Sequence, residues 1–153
     1  MNSIEVIANN FRKLSFDTIF TRVFKRKDVE DFIIDLNTRG QLFEGVDSEG
    51  TRLDKIDPNG GYADSTVKRK ARQGLPTDRV TLFDKGDFYS SFNVEVKKGF
   101  LIIEADTKKR SVDLQERWGT KLLGLTDENF KLLQDFVTTV WVDEVERAIF
   151  KGL

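Results

Sequence analysis

The sequence predicts an α+β fold in which a small antiparallel sheet packs with N-terminal helices and a long C-terminal helix. Two patterns carry that expectation. Apolar residues recur at helical spacing through residues 1–40 and again from 126 onward. Between them, residues 92–96 alternate, Lys97-Lys98-Gly99 turns the chain and residues 100–105 return, which reads as a hairpin. No repeat, low-complexity tract or dividing linker interrupts the chain, so residues 1–153 read as one domain. Its parts are a helical segment 1–40, a mixed segment 41–125 and a C-terminal helix 126–152.

In order, Ile4, Ile7, Phe11 and Leu14 mark a first amphipathic helix. Phe16, Ile19, Phe20 and Val23 continue the spacing after Ser15 or Asp17, either of which suits a new cap. Asp28 is placed to cap a third helix with Val29, Phe32, Ile33 and Leu36 inside, and Asn37 and Gly40 offer its stop. Residues 41–53 read as a hairpin around Asp47-Ser48-Glu49-Gly50, and 57–61 as the segment most expected to move. A basic helix over 63–73 ends at Gly74 and leads to a strand over 79–83, then to one or two helical turns over 86–92. A short helix over 113–118 precedes the last long one. There Thr126 is the N-cap, Asp127 and Glu128 suit the positive end of the dipole, and Leu125 is expected to staple onto Phe130. Phe130, Leu133, Val137, Val140, Trp141, Val145 and Ile149 form its apolar face.

Composition narrows the function. The chain has no Cys and no His, which removes disulfides, thiolate chemistry, the usual near-neutral general base and the usual transition-metal ligand. With 153 residues and a net charge of −1, it is long enough for a real core and carries no global basic signature for nucleic acid. Thirteen Phe against two Tyr and two Trp place much aromatic surface in a core or an interface. No apolar run approaches the ~20 residues that span a bilayer, and the N-terminus lacks the regions of a signal peptide, so a soluble, cytosol-made protein is expected.

Local motifs do not supply chemistry. Asp84 and Asp87 flank Gly86 at a spacing common in turns, where Asx side chains accept from local backbone N–H groups. Asp47, Glu49 and Gly50 hint at a calcium loop, but the distant closing Glu is missing. No phosphate-binding glycine pattern is present, and Ser90 and Ser91 have no histidine to activate them. No cofactor and no metal is expected. Charge is distributed more tellingly: residues 61–79 hold five basic and two acidic side chains, whereas 126–153 hold six acidic and three basic. Lys68 and Arg72 share a helix face. Such opposite patches suit either an intramolecular contact or head-to-tail packing of identical subunits.

Three stretches, in order, carry a resemblance. The first is Gln41-Leu42-Phe43 followed by Gly45-Val46-Asp47-Ser48-Glu49-Gly50. The second comprises Tyr62-Ala63, Thr66-Val67 and Lys70, then Val80-Thr81-Leu82, Asp84, Gly86-Asp87-Phe88-Tyr89 and Ser91-Phe92. The third is Gly119 with Leu122-Leu123-Gly124-Leu125-Thr126-Asp127-Glu128-Asn129. Together they resemble the tail-completion and head–tail neck (connector) proteins of tailed bacteriophages, over roughly residues 41–130. Members of that family often have Thr-Gly after the Asp, where this chain has Lys85-Gly86. The matching residues are turn, cap and packing signals. The resemblance implies an α+β fold, no catalysis, and a virion location at the head–tail junction or the top of the tail, after synthesis in the host cytoplasm. It also implies a homo-oligomeric ring touching portal or connector and tail proteins, near channel DNA and away from membranes. On this reading Phe83, Phe88, Tyr89 and Phe92 with Lys68, Arg69 and Arg72, together with the loop 57–61, are the candidate subunit interface, and the core is the alternative home for at least two of those aromatics. The alternative function is a small nucleic-acid-binding protein using the basic patches 22–27 and 68–72.

Overall fold

The computed structural model describes residues 2–110 and 112–153. The fold is α+β: helices from both ends of the chain enclose a two-stranded antiparallel hairpin. The first three helices are α1 (Ser3–Arg12), α2 (Phe16–Phe24) and α3 (Lys27–Asn37). A capping box opens α1, with Glu5 N donating to Asn2 Oδ1 at 2.9 Å and Asn2 N to Glu5 Oε2 at 3.0 Å. None of its residues is buried, and Ile4 and Phe11 are exposed, so its apolar stripe only partly meets the body. Helix α3 starts after Arg26 rather than at Asp28. The Asp28 carboxylate accepts from Arg26 instead, at 2.7 Å.

Next come α4 (Leu53–Ile56), α5 (Asp64–Arg72) and α6 (Asp87–Ser90), strands β1 (Asn93–Lys97) and β2 (Phe100–Glu104), a small ladder of β3 (Lys108–Lys109) with β4 (Val112–Asp113), α7 (Leu114–Trp118) and α8 (Asp127–Ile149). The β1–β2 register pairs Val94 with Ile103 and Val96 with Leu101, as alternation demands.

Two cores share the hairpin. Ile19, Val23, Val29, Ile33 and Leu36 of α2 and α3 bury against Leu133 and Val140 of α8. Leu42, Leu53, Val80, Phe88, Phe92, Leu114, Trp118 and Leu122 form the second, and Ile103 packs against both. Each fully buried Val, Leu or Ile side chain contributes roughly 1.5–3 kcal/mol. Thr126 caps α8, accepting from Asn129 N at 3.2 Å. At the other end, Asn10 Nδ2 donates to the carbonyls of Ile149 and Lys151 at 2.8 and 2.9 Å, so α1 satisfies the last carbonyl of α8 and one just beyond it.

Several expectations are corrected. The hairpin over 41–53 is reduced to a single bridge, Val46 to Arg52. Helix α3 instead runs through Asn37 into one π-helical segment, Thr38–Leu42. Buried amide side chains hold that course. Gln41 donates to Gly124 O at 2.9 Å and accepts from Thr126 N at 2.9 Å, and Asn37 donates to Leu122 O at 3.0 Å and accepts from Gly124 N at 2.9 Å. Gly124 has φ +141°, and a Cβ there would meet Ser48 Cβ at 3.2 Å, so the close approach of this loop needs glycine.

The segment 79–83 is not a strand. Its backbone is satisfied by side chains: Thr81 N and Leu82 N donate to Tyr62 Oη at 3.0 and 3.1 Å, and Thr81 O accepts from Tyr89 Oη at 2.6 Å. Leu82 sits at φ +53°, which no continuing ladder would accept. The loop 57–61 is anchored rather than free, because Asp57 is buried and bonded to Arg117. Phe130 is 51% exposed, so the staple onto Leu125 does not bury it. Asn129 takes the buried position in that turn, donating to Leu36 O at 3.1 Å.

Candidate functional site

Helix α5 is short and strongly basic, and Gly74 at φ +68° ends it. Its faces divide sharply. Lys68, Arg69 and Arg72 are exposed, and Arg69 makes an ion pair with Asp84 at 3.5 Å. Lys70 points the other way and is only 2% exposed. Its Nζ donates to Phe83 O and, at 3.3 Å, to Thr81 Oγ1, and lies 4.9 Å from the Tyr62 ring centroid. Arg79 is also structural, its Nε donating to Phe43 O at 2.8 Å. Of the five basic residues in this stretch, three therefore face outward. In the other patch, Arg26 pairs with Asp28 and Glu144 and Lys27 with Asp31 and Glu30, so that among the described residues Arg22 and Lys25 enter no ion pair.

The predicted aromatic cluster is a chain of rings running inward. Phe43 to Phe83 is 6.0 Å between centroids, Phe83 to Tyr89 5.2 Å, Phe88 to Tyr89 6.1 Å and Phe88 to Phe92 5.1 Å. Phe88 and Phe92 are buried in the core, so neither is available to a partner. Phe83 and Tyr89 are half-buried. Burial pushes the Tyr89 hydroxyl well above the usual phenol range, which keeps it a donor to Thr81 O.

Between α5, the segment 82–88, the β3–β4 ladder and α7 lies a groove of about 740 Å³. Six cationic side chains line it, Arg69, Lys70, Lys85, Lys109, Arg110 and Arg117, against two carboxylates, Asp84 and Asp87. Arg117 is committed to Asp57 at 2.7 Å. Burial raises the Asp57 carboxyl, but the Arg117 guanidinium and the backbone N–H groups of Asn59 and Gly61 outweigh it, leaving the group below the usual carboxylate range. Lys85, Lys109 and Arg110 make no ion pair among the described residues. Arg110 sits at φ +48°. Trp118 lines the groove under the Arg117 guanidinium, and its Nε1 is the one buried side-chain donor without an acceptor among the described residues.

Sequence reasoning reaches Arg69 but misses Lys85, Lys109, Arg110 and Arg117. The run Lys108-Lys109-Arg110 is the signal that finds two of them. The suggested turn roles also resolve. Asp47 is buried and accepts from Glu49 N and Thr51 N at 2.9 and 2.8 Å, as a turn residue does. Asp84 pairs with Arg69 rather than closing a local Asx turn. The Ser90 and Ser91 hydroxyls donate to the carbonyls of Asp87 and Phe88 at 3.1 and 2.6 Å. Among the described residues, no three acidic side chains converge as a metal site needs, and no helix is long and apolar enough to cross a membrane. Compared with family models, with curated proteins and with solved structures, the chain finds no match in any of the three.

Proposed function

We propose that this chain is a bacteriophage virion structural protein, a neck or tail-completion subunit that forms an oligomeric ring at the head–tail junction or the top of the tail. It works by binding copies of itself and neighbouring portal, connector or tail proteins, and not by catalysis. The observation that carries this reading is the ordered set of turn and cap residues shared with that family, from Gln41 through Asp84-Lys85-Gly86-Asp87 to Gly124-Leu125-Thr126. Two features of the surface support it. The outward cations of α5, Lys68, Arg69 and Arg72, and the exposed acids of α8 lie on one chain of almost no net charge. Ser90 and Ser91 are engaged with backbone carbonyls, in keeping with a non-enzymatic role.

The test is location. Antibody raised against the purified chain should label virions at the junction of head and tail. Labelling of the capsid faces or tail tip alone, or none on intact and disrupted virions, would contradict the assignment.

A further inference from the structure

Helix α8 has two faces. Leu133, Val137, Val140 and Trp141 turn inward. On the opposite side Glu128, Leu132, Asp135, Thr139, Val142, Glu146 and Phe150 follow one another at steps of three or four residues, all exposed. Leu132 and Val142 are each 49% exposed and Phe150 51%. Thr139 aside, the stripe thus alternates acid and apolar along the helix. Asp127, Glu128, Asp135, Asp143 and Glu146 are all exposed and enter no ion pair among the described residues; Glu144 alone is engaged, with Arg26 and Arg147.

The groove has the complementary character. Lys85, Lys109 and Arg110 enter no ion pair among the described residues, and its apolar wall includes Leu82, Phe83 and Val112, the last 37% exposed. We propose that this groove receives the outward acid-and-apolar stripe of α8 from a second copy of the chain. The proposal rests on the ring reading and names its contact. The stripe and the groove are different surfaces, so the contact is heterologous and leaves a free stripe and a free groove at the ends until the ring closes. Side chains of the stripe enter the groove while the helix backbone stays above it, consistent with a volume of about 740 Å³. Apolar contact supplies attraction, and the charges fix register and exclude stripe-to-stripe pairing.

The experiment is a charge swap read by light scattering and sedimentation. Lys85→Glu with Arg110→Glu should raise the concentration needed for assembly by about tenfold or more, and so should Asp135→Lys with Glu146→Lys. All four together should recover most of the loss. Melting curves identify any variant that fails to fold. A second measurement is independent of charge: the chain has no Cys, so Lys85→Cys combined with Glu146→Cys should give an oxidation-dependent ladder of oligomers that neither single variant gives. Rings that form normally from both reversed pairs, without a ladder, overturn the docking while leaving the ring reading intact. A wild-type chain that stays monomeric overturns both. Groove reversal that abolishes salt-sensitive DNA retention and spares assembly overturns the docking in favour of a nucleic-acid surface.

Discussion

Lys70 Nζ donates to the backbone carbonyl of Phe83 from a side chain that is almost wholly buried. The bond joins α5 to the segment 79–83, whose strand-like sequence has no neighbouring strand among the described residues. Lys70→Met keeps the stem but leaves Phe83 O and Thr81 Oγ1 without that donor, and should cost about 1–3 kcal/mol. Lys68→Met, on the exposed side of the same helix, should stay within about 0.5 kcal/mol. Chemical denaturation of the two variants checks the contrast.

The Asp57–Arg117 pair predicts an acid-sensitive loop. The Asp57 carboxyl is lowered by folding, so the stability it lends is present above the unfolded carboxylate pKa of about 3.9 and is lost as pH falls through the lower folded value. Asp57→Asn should cost about 3 kcal/mol at neutral pH, the low end for a buried pair because Arg117 keeps part of its side chain in water. The difference from wild type should shrink below about pH 4. Thermal melts across pH measure it.

Trp118 offers a nearly neutral change. Its Nε1 is buried without an acceptor among the described residues, so Trp118→Phe removes an unsatisfied donor while retaining most of the ring. Relief of that donor, worth about 1–3 kcal/mol, should roughly balance the lost ring area, so the variant should melt near wild type. A large loss would mean that the indole N–H has a partner in solution.

Trp141 behaves differently from a fully enclosed tryptophan. It is half-buried, with its ring 5.2 Å from the exposed Phe16 ring. Trp141→Ala should therefore cost about 2 kcal/mol, below the roughly 3–5 kcal/mol of a fully buried ring. Denaturant midpoints of Trp141→Ala and Phe16→Ala decide the matter.

The outward cations of α5 should be dispensable for folding. Among the described residues, Lys68→Glu, Arg69→Glu and Arg72→Glu together lose only the exposed Arg69–Asp84 pair, so the monomer should keep its melting transition while assembly weakens. An unfolded triple variant would show that this face has a structural duty.

Local signals in the sequence were enough wherever structure is set by neighbours in the chain. The alternation of Phe92-Asn93-Val94-Glu95-Val96 gives β1, and Thr126 with Asn129 gives the start of α8. Segments satisfied by distant side chains were opaque. Val80-Thr81-Leu82-Phe83 has strand composition, yet Tyr62, Tyr89 and Lys70 supply the hydrogen bonds that a second strand would. Lys70 looks like its basic neighbours in sequence, and only the fold turns it inward. The groove was half legible for the same reason. Arg69 belongs to a visible basic helix, whereas Arg117 arrives from a helix that the sequence offers no reason to place beside it.

Self-assembly of the purified chain into a ring is open to electron microscopy. Closed rings of uniform subunit number around an open channel, sharpening at low salt, are the expected result. Particles that remain 17.6 kDa monomers at every concentration, salt level and pH at which the fold is intact would contradict it.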